Sequence, residues 1–256
     1  SHIGHVILDE ADRMLEMGFY DDIVKIFNSI PQDAQKLLFS ATMPPKIRTL
    51  AKRFLKDPAE VNIAVSQTAK GVSEAAYIVN THQKDDLITL ILKANIDKLL
   101  SVIIFTATKK AVDVLVRTLN KADVEAYGIH SDIDQLEREK LFNRFKSRKI
   151  KVLIATDVLS RGVDVENISL VINYDVPNDP EDYIHRVGRT ARAESKGMAV
   201  TLVDQDDQHN FSRIEQLLGR EITKPSLPKS FGEQPEYKPA SAKRYGGKGK
   251  YGKKRK

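Results

Sequence analysis

Polar side chains follow three short apolar runs of this chain, at the point where each run ends. The run at residues 6–8 is followed by Asp9 and Glu10, the run at 37–39 by Ser40, and the run at 152–155 by Thr156. Buried parallel strands are near-continuous apolar runs, and open parallel sheets bind ligands at the carboxyl ends of their strands. These polar residues are therefore the first candidates for chemistry.

Adjacent carboxylates at Asp9 and Glu10 predict a magnesium site. Mg²⁺ prefers hard oxygen ligands and keeps several waters, so one carboxylate can hold it through water while the next orients an attacking water. A strand end capped by two solvated carboxylates is the alternative. The pair alone does not decide between them.

Arginines recur at every third position near the end of the second half, at Arg186, Arg189 and Arg192. In a helix they would share one face and could direct several guanidinium groups at one anion. A phosphate is the natural candidate, because a planar guanidinium offers forked donors and keeps its proton. A solvated basic helix face is the alternative.

Strand-like and helix-like segments alternate along most of the chain, which predicts an α/β fold with a doubly wound parallel sheet. A small polar stretch at residues 66–74 reads as a linker between a domain at 1–65 and a domain at 75–224. Residues 225–256, rich in Pro, Gly, Ser and Lys, are expected to be disordered. With five residues before the first strand, we expect a missing N-terminal portion.

The net charge of +6 over 256 residues comes from the tail. Residues 229–256 hold 10 Lys or Arg against 2 Glu, and the other 228 residues hold 31 basic against 33 acidic groups. Nucleic-acid binding must therefore be argued from sites, not from the average charge. The tail is either a basic arm that attracts phosphates or plain solubilising disorder. The absence of cysteine excludes disulfides and fits a reducing, cytoplasmic setting.

Taken in order, these motifs resemble those of the DEAD-box RNA helicases. The resemblance rests on the Asp-Glu-Ala-Asp run at 9–12, Ser-Ala-Thr at 40–42, the Gln-x-x-Arg element at 135–138, the segment at 155–164 and the run from His185 to Arg192. The neighbouring residues look closest to the bacterial RhlE-type branch. Such a protein would be an ATP-dependent RNA helicase with two RecA-like domains, here the end of the first and all of the second. The resemblance implies ATP and Mg²⁺ as cofactors and RNA as partner. We further expect a cytoplasmic monomer that does not cross a membrane, since no apolar run approaches the roughly 20 residues that a membrane span needs.

Residue roles carry over from the resemblance position by position. Asp9 and Glu10 would serve Mg²⁺ and the hydrolytic water, and Asp164 would contact the ribose of ATP. Arg189 and Arg192 would reach the γ-phosphate, one of them as an arginine finger. Four residues would couple the state of the bound nucleotide to RNA binding: Asp12, Ser40, Thr42 and His185. Five would contact RNA: Gln135, Arg138, Thr156, Arg161 and Gly162.

Three positions depart from the family pattern. Ala191 and Ser131 stand where glycine is usual, and Ala107 stands where relatives often have arginine. The first two changes are small and predict altered packing, and the third removes one contact to RNA or to the other domain. No credible P-loop is present, so we expect this chain alone to be inactive. Two rival functions stay open: a DNA-directed helicase of the same superfamily and a non-catalytic RNA-binding clamp.

Overall fold

The computed structural model describes residues 3–62, 71–156, 168–190 and 197–239. The chain divides into two compact units, Ser1–Val65 and Ser66–Lys256. Within the described ranges, no helix has the length and apolar character needed to cross a membrane.

The first unit packs three helices against two parallel strands. Its elements are β1 (His5–Leu8), α1 (Ala11–Glu16), α2 (Tyr20–Asn28), β2 (Gln35–Leu38) and α3 (Pro45–Phe54). The strands pair in register, with Leu8 opposite Leu38. Ile23 and Phe27 of α2 fall at helical spacing, as do Ile47 and Leu50 of α3, and all four are buried in the core of this unit. Pro45 starts α3, where its missing N–H removes no hydrogen bond.

The second unit is a six-stranded parallel sheet with helices between its strands. Its elements are β3 (Val72–Ile78), α4 (Lys84–Asn95), β4 (Val102–Thr106), α5 (Lys109–Lys121), β5 (Ala126–Ile129), α6 (Gln135–Lys146), β6 (Val152–Thr156), β7 (Leu170–Asn173), α7 (Pro180–Val187), β8 (Gly197–Val203) and α8 (Gln208–Leu218). The strand order is β3-β8-β7-β4-β6-β5, and every pairing is parallel. This confirms the predicted α/β fold class.

Alternation along the central strands explains why helices cover both faces. In β4, Val102 and Ile104 pack in one cluster with residues of α4 and α5, whereas Ile103 and Phe105 pack in another with residues of α6. Successive side chains of a strand point to opposite faces, so a strand that is apolar throughout must be covered on both. Three of these strands, β4, β6 and β7, end in polar residues at the carboxyl edge of the sheet, namely Thr106, Thr156 and Asn173.

The predicted linker at residues 66–74 is wrong at its C-terminal end. Strand β3 already begins at Val72, which lies opposite Gly197, and Glu74 lies inside the strand. The charge of Glu74 favoured its assignment to the linker. In the structure, its carboxylate accepts a hydrogen bond from the Tyr183 hydroxyl at 2.8 Å. A buried acid with a specific donor can occupy a strand that composition alone would not assign.

The prediction of disorder from residue 225 is wrong for residues 225–239. The segment at 222–239, which we call the C-terminal strap, packs along the second unit. Leu227 and Phe231 contact one apolar cluster and Tyr237 another. The Tyr237 hydroxyl donates to Glu215 at 2.8 Å. A few spaced apolar and aromatic residues thus suffice to order a stretch of mainly polar composition. The predicted tail from 240 to 256 lies outside the described residues.

We predict that the strap stabilises the second unit. Ending the chain after residue 224 should lower its free energy of unfolding by about 3 kcal/mol, since partial burial of Leu, Phe and Tyr side chains contributes about 1 kcal/mol each. Urea denaturation measures the effect. A chain ending after residue 239 is the control, because it retains every described strap contact. Equal unfolding midpoints for the two truncated chains would contradict the prediction.

Candidate functional site

The acidic pair predicted for Mg²⁺ lies in a tight turn between β1 and α1. Glu10 adopts the left-handed conformation with φ 49°, and its backbone N–H donates to Asp9 Oδ1 at 2.9 Å. The turn is fixed by Ala11 N–H, which donates to the Phe39 carbonyl at 3.0 Å. A non-glycine residue in this region costs about 1–3 kcal/mol and persists only where its surroundings impose it. The two exposed carboxylates are therefore held at the carboxyl edge by strand pairing.

Asp12 joins the two polar runs of the first unit. Its Oδ2 accepts from the Thr42 N–H at 2.8 Å and from the Thr42 hydroxyl at 2.9 Å. The Asp12 N–H donates to Ser40 Oγ at 3.1 Å, and that hydroxyl donates to the Thr42 carbonyl at 2.7 Å. The structure thus brings together three of the four residues to which the family resemblance assigns a coupling role. Asp12 is a carboxylate with its acceptors engaged, not a solvated charge.

Hydrogen bonding outweighs burial at this carboxylate. Burial raises the pKa of Asp12. The hydrogen bonds donated by the backbone and hydroxyl of Thr42 and by the Arg13 N–H together lower that pKa by more than burial raises it, so the net pKa lies below the ordinary value of 3.8. Hydrogen bonds to the charged form of a carboxylic acid favour that form. Asp12 is accordingly ionised in the folded protein at neutral pH.

The first unit can supply part of a magnesium site. Among the described residues, no group of three or more His, Asp and Glu side chains is placed to hold a metal ion. Mg²⁺ bound with a nucleotide uses one or two carboxylates, and water and phosphate oxygens complete its octahedron. Two adjacent exposed carboxylates, Asp9 and Glu10, fit that requirement.

The expectation that three arginines share one helix face is wrong for Arg186. Its side chain is 3% exposed, and Nη1 donates to Asn173 Oδ1 at 3.0 Å and to the Asp175 carbonyl at 2.9 Å. Its guanidinium lies 5.0 Å from the centre of the Phe105 ring. Helix α7 ends at Val187, so Arg189 lies in the turn that follows it. Regular spacing could not reveal that the helix stops between the two arginines.

His185 lies on α7 and Arg189 lies in the turn beyond it, and both residues are partly exposed. The Arg189 carbonyl accepts from Ile168 N–H at 3.3 Å, which holds this turn to the start of β7. Both residues make interactions within the protein. Arg192, Asp164, Arg161 and Gly162 lie outside the described residues.

The predicted RNA contacts Gln135 and Arg138 lie together on the first turn of α6. Arg138 Nη1 donates to Gln135 Oε1 at 3.0 Å, and its Nη2 donates to the Ile133 carbonyl at 3.2 Å. Thr156 ends β6 directly opposite Thr106 at the end of β4. These residues therefore occupy strand ends and a helix start near the carboxyl edge of one sheet.

Sequence reasoning missed a charged cluster at the same edge. Lys84 Nζ lies 2.8 Å from Asp204 Oδ2 and 3.5 Å from both Asp175 Oδ1 and Asp207 Oδ2. Asp175 follows β7 and Asp204 follows β8, so the rule applied to Asp9 and Ser40 would have singled both out. Lys84 gave no such signal, because a lysine at the start of a helix is usually exposed.

Comparison with known proteins decides the family. Residues 1–50 match the family described as DEAD/DEAH box helicase, and residues 82–194 match the helicase conserved C-terminal domain. The DEAD-box ATP-dependent RNA helicase RhpA of Helicobacter pylori is 42% identical over 224 residues, which cover 87% of this chain and 45% of RhpA. CshA of Bacillus subtilis is 40% identical over 229 residues, covering 89% of this chain and 46% of CshA.

The chain belongs to the DEAD-box RNA helicase family. A solved structure of S. cerevisiae Dbp5 bound to RNA and ADP BeF3 matches with TM-score 0.78 and 33% identity, over 88% of this chain and 60% of Dbp5. The fold is thus the RecA-like fold of DEAD-box proteins. The chain spans about half the length of the curated DEAD-box relatives it matches. The RhlE-type branch stays a prediction.

We predict that Asp12→Asn weakens the first unit at neutral pH. An amide offers one acceptor oxygen where the carboxylate accepts several bonds, and losing charge-assisted bonds costs about 1–3 kcal/mol. Because the folded pKa of Asp12 is lowered, its stabilisation is present above the ordinary pKa of 3.8 and is lost as pH falls through the folded value.

Urea denaturation of the parent and Asp12→Asn chains at about pH 7 and about pH 3.5 measures this dependence. The difference between them should shrink at the lower pH. Asp33→Asn, which alters an exposed carboxylate of the same unit, is the control and should change little. A difference that is the same at both pH values would contradict the role assigned to the ionised form.

Proposed function

We propose that the whole protein is an ATP-dependent RNA helicase, in which ATP binding and hydrolysis drive local unwinding of RNA duplexes or remodelling of RNA–protein complexes. The observation that carries the proposal is the Asp12 network, which joins two family motifs at one strand edge. Family membership supports it, as do relatives named as ATP-dependent RNA helicases and a related structure that holds RNA and ADP BeF3. The chain covers only part of those relatives, so this is a proposal for the whole protein.

For hydrolysis, we propose that Asp9 and Glu10 hold Mg²⁺ through water and orient the attacking water. The ion would supply neutralisation of charge on the phosphate oxygens. Arg189 and Arg192 would donate to the γ-phosphate, where a guanidinium can meet the charge spread over several oxygens. Asp164 would accept from the ribose hydroxyl groups of ATP.

The remaining predicted residues would connect nucleotide binding with RNA binding. In the first unit, the rigid network of Asp12, Ser40 and Thr42 suits a coupling role, because it has few ways to move without breaking several bonds. His185 would complete that set from the second unit. The RNA phosphates would meet Gln135, Arg138 and Thr156 near one sheet edge. Arg161 and Gly162 would add further contacts to RNA.

We infer four further properties of the protein. The absence of cysteine suits a cytoplasmic protein, and nothing in the sequence calls for more than a monomer. The basic residues of 240–256 would add contacts to RNA phosphates that do not depend on sequence. The two structural units, with the division near residue 65, would be parts of two RecA-like domains of the whole protein.

RNA should stimulate ATP hydrolysis by the whole protein, and single-stranded DNA of the same sequence should stimulate it far less. Steady-state hydrolysis with each nucleic acid measures the preference. Equal stimulation by DNA would favour a DNA-directed helicase. RNA binding without any hydrolysis would favour a non-catalytic clamp.

Arg189→Ala should lower the RNA-stimulated kcat of the whole protein by about 10³- to 10⁵-fold, the range measured for arginine fingers. Arg189→Lys should recover little of the loss, since an ammonium cannot donate in the same forked geometry. The matched control is Arg117→Ala, at an exposed arginine of α5. If Arg189→Ala keeps the wild-type kcat, Arg189 takes no part in hydrolysis and the prediction is contradicted.

This chain by itself should neither bind ATP tightly nor hydrolyse it. Its one sequence of P-loop form, at residues 247–253, has Lys254 where the Ser or Thr that meets Mg²⁺ is required. Isothermal calorimetry with ATP and Mg²⁺, together with a hydrolysis assay, measures both properties. RNA-stimulated turnover by the isolated chain would overturn this expectation.

A further inference from the structure

Lys84 is a buried cation at the carboxyl edge of the second sheet. Its side chain is 2% exposed, although it begins helix α4. It lies within 4 Å of three carboxylates, those of Asp175, Asp204 and Asp207. Its ammonium also lies 5.3 Å from the centre of the Tyr174 ring. One lysine thus connects the turn after β7 with the turn after β8.

The surroundings keep Lys84 charged. Burial lowers the pKa of Lys84, but the hydrogen bond that its ammonium donates to Asp204 and the charges of the three carboxylates raise that pKa above the ordinary value of 10.5. A buried ion pair is weak support for stability, because well-packed apolar side chains often serve as well. Its contribution is geometric, since charge and hydrogen-bond direction fix where the carboxylates lie.

The turn at residues 174–176, which we call the post-β7 turn, is held at each of its three residues. The Tyr174 N–H donates to the Phe105 carbonyl at 2.9 Å, and its hydroxyl donates to Asp85 at 2.8 Å. Asp175 faces Lys84 through Oδ1. The Val176 N–H donates to Asp207 Oδ2 at 3.3 Å. Lys84 and its acidic partners therefore fix this turn from two sides.

The post-β7 turn in turn fixes two elements that the proposed function uses. Asp175 Oδ2 accepts from the Ala107 N–H at 2.7 Å, which holds the residue directly after β4. The Asp175 carbonyl accepts from Arg186, the buried arginine of α7. Helix α7 carries His185 and leads into Arg189. A continuous set of bonds thus runs from Lys84 through Asp175 to both the β4 end and α7.

We infer that Lys84 is a positioning residue, which acts through Asp175 to set the place of α7 and of the β4 end. It touches neither nucleotide nor RNA in this account. The inference rests on the proposed function, because positioning matters only if Arg189 and the strand ends act on nucleotide and RNA. Asp204, although nearest to Lys84, accepts from the backbone N–H groups of Asp206 and Asp207 after β8, whereas Asp175 lies in the post-β7 turn itself and bonds directly to Arg186 of α7.

That difference gives a test with two matched substitutions in the whole protein. Asp175→Asn and Asp204→Asn each remove one carboxylate that faces Lys84, and an amide oxygen at residue 175 can still accept from Ala107. Asp204→Asn breaks the shorter ion pair and should lower thermal stability at least as much as Asp175→Asn does. Asp175→Asn should lower RNA-stimulated kcat more, by about 10- to 100-fold, with the KM for ATP nearly unchanged, as expected for misplaced catalytic groups.

Lys84→Met should show the same kcat loss as Asp175→Asn, measured well below the unfolding temperature of each variant. Lys140→Met, at a lysine of α6 whose side chain is 66% exposed, is the control and should behave as wild type. If Lys84→Met does not fold, the two aspartate variants still decide the matter by their order of activity.

Two results would count against the inference. Equal kcat in Asp175→Asn and Asp204→Asn, or a loss of kcat that follows thermal stability across the variants, would show a merely structural role. If the wild-type protein shows no RNA-stimulated hydrolysis, the proposed function itself fails and the inference falls with it. If the wild-type protein is active and the two aspartate variants have equal kcat, the inference about Lys84 is overturned but the proposed function stands.

Discussion

Carboxylates that accept backbone N–H groups hold the strand ends of both units in place. Asp12 accepts from Thr42 and Arg13 in the first unit, and Asp175 accepts from Ala107 in the second. A parallel sheet brings its strand ends to one edge, but the turns that leave the strands have no partners within the sheet. An ionised oxygen supplies a short, directional acceptor for such turns. The proposed coupling of nucleotide binding to RNA binding depends on this constraint, because Asp12 holds Thr42 in this way.

The two units meet this constraint with different degrees of burial. In the first unit the carboxylate of Asp12 is partly exposed, and its neighbours are hydroxyl and backbone groups that carry no charge. In the second unit a buried lysine balances several acids, with Arg186 buried nearby. Both arrangements fix geometry at a desolvation cost that apolar packing would avoid. Such cost is expected where position matters more than stability.

Much of the fold and part of the site could be predicted from the sequence. Apolar runs identified the strands, and polar residues at their ends identified Asp9, Glu10 and Ser40, because a parallel sheet gathers its strand ends. The family resemblance added Asp12 and Thr42. Two kinds of feature escaped. The end of α7 before Arg189 and the burial of Arg186 depend on tertiary partners that spacing does not show. The C-terminal strap was missed since composition averages over the few residues, such as Phe231 and Tyr237, that anchor it.

The central claim is that acidic groups of the first unit and guanidinium groups of the second act on one nucleotide. A structure of the whole protein with ADP BeF3, Mg²⁺ and an RNA strand tests it most directly. The account predicts Arg189 and Arg192 within hydrogen-bond distance of the phosphate analogue, with Asp9 and Glu10 beside the hydrated ion. Arginines directed away from the analogue while RNA and nucleotide are both bound would contradict it.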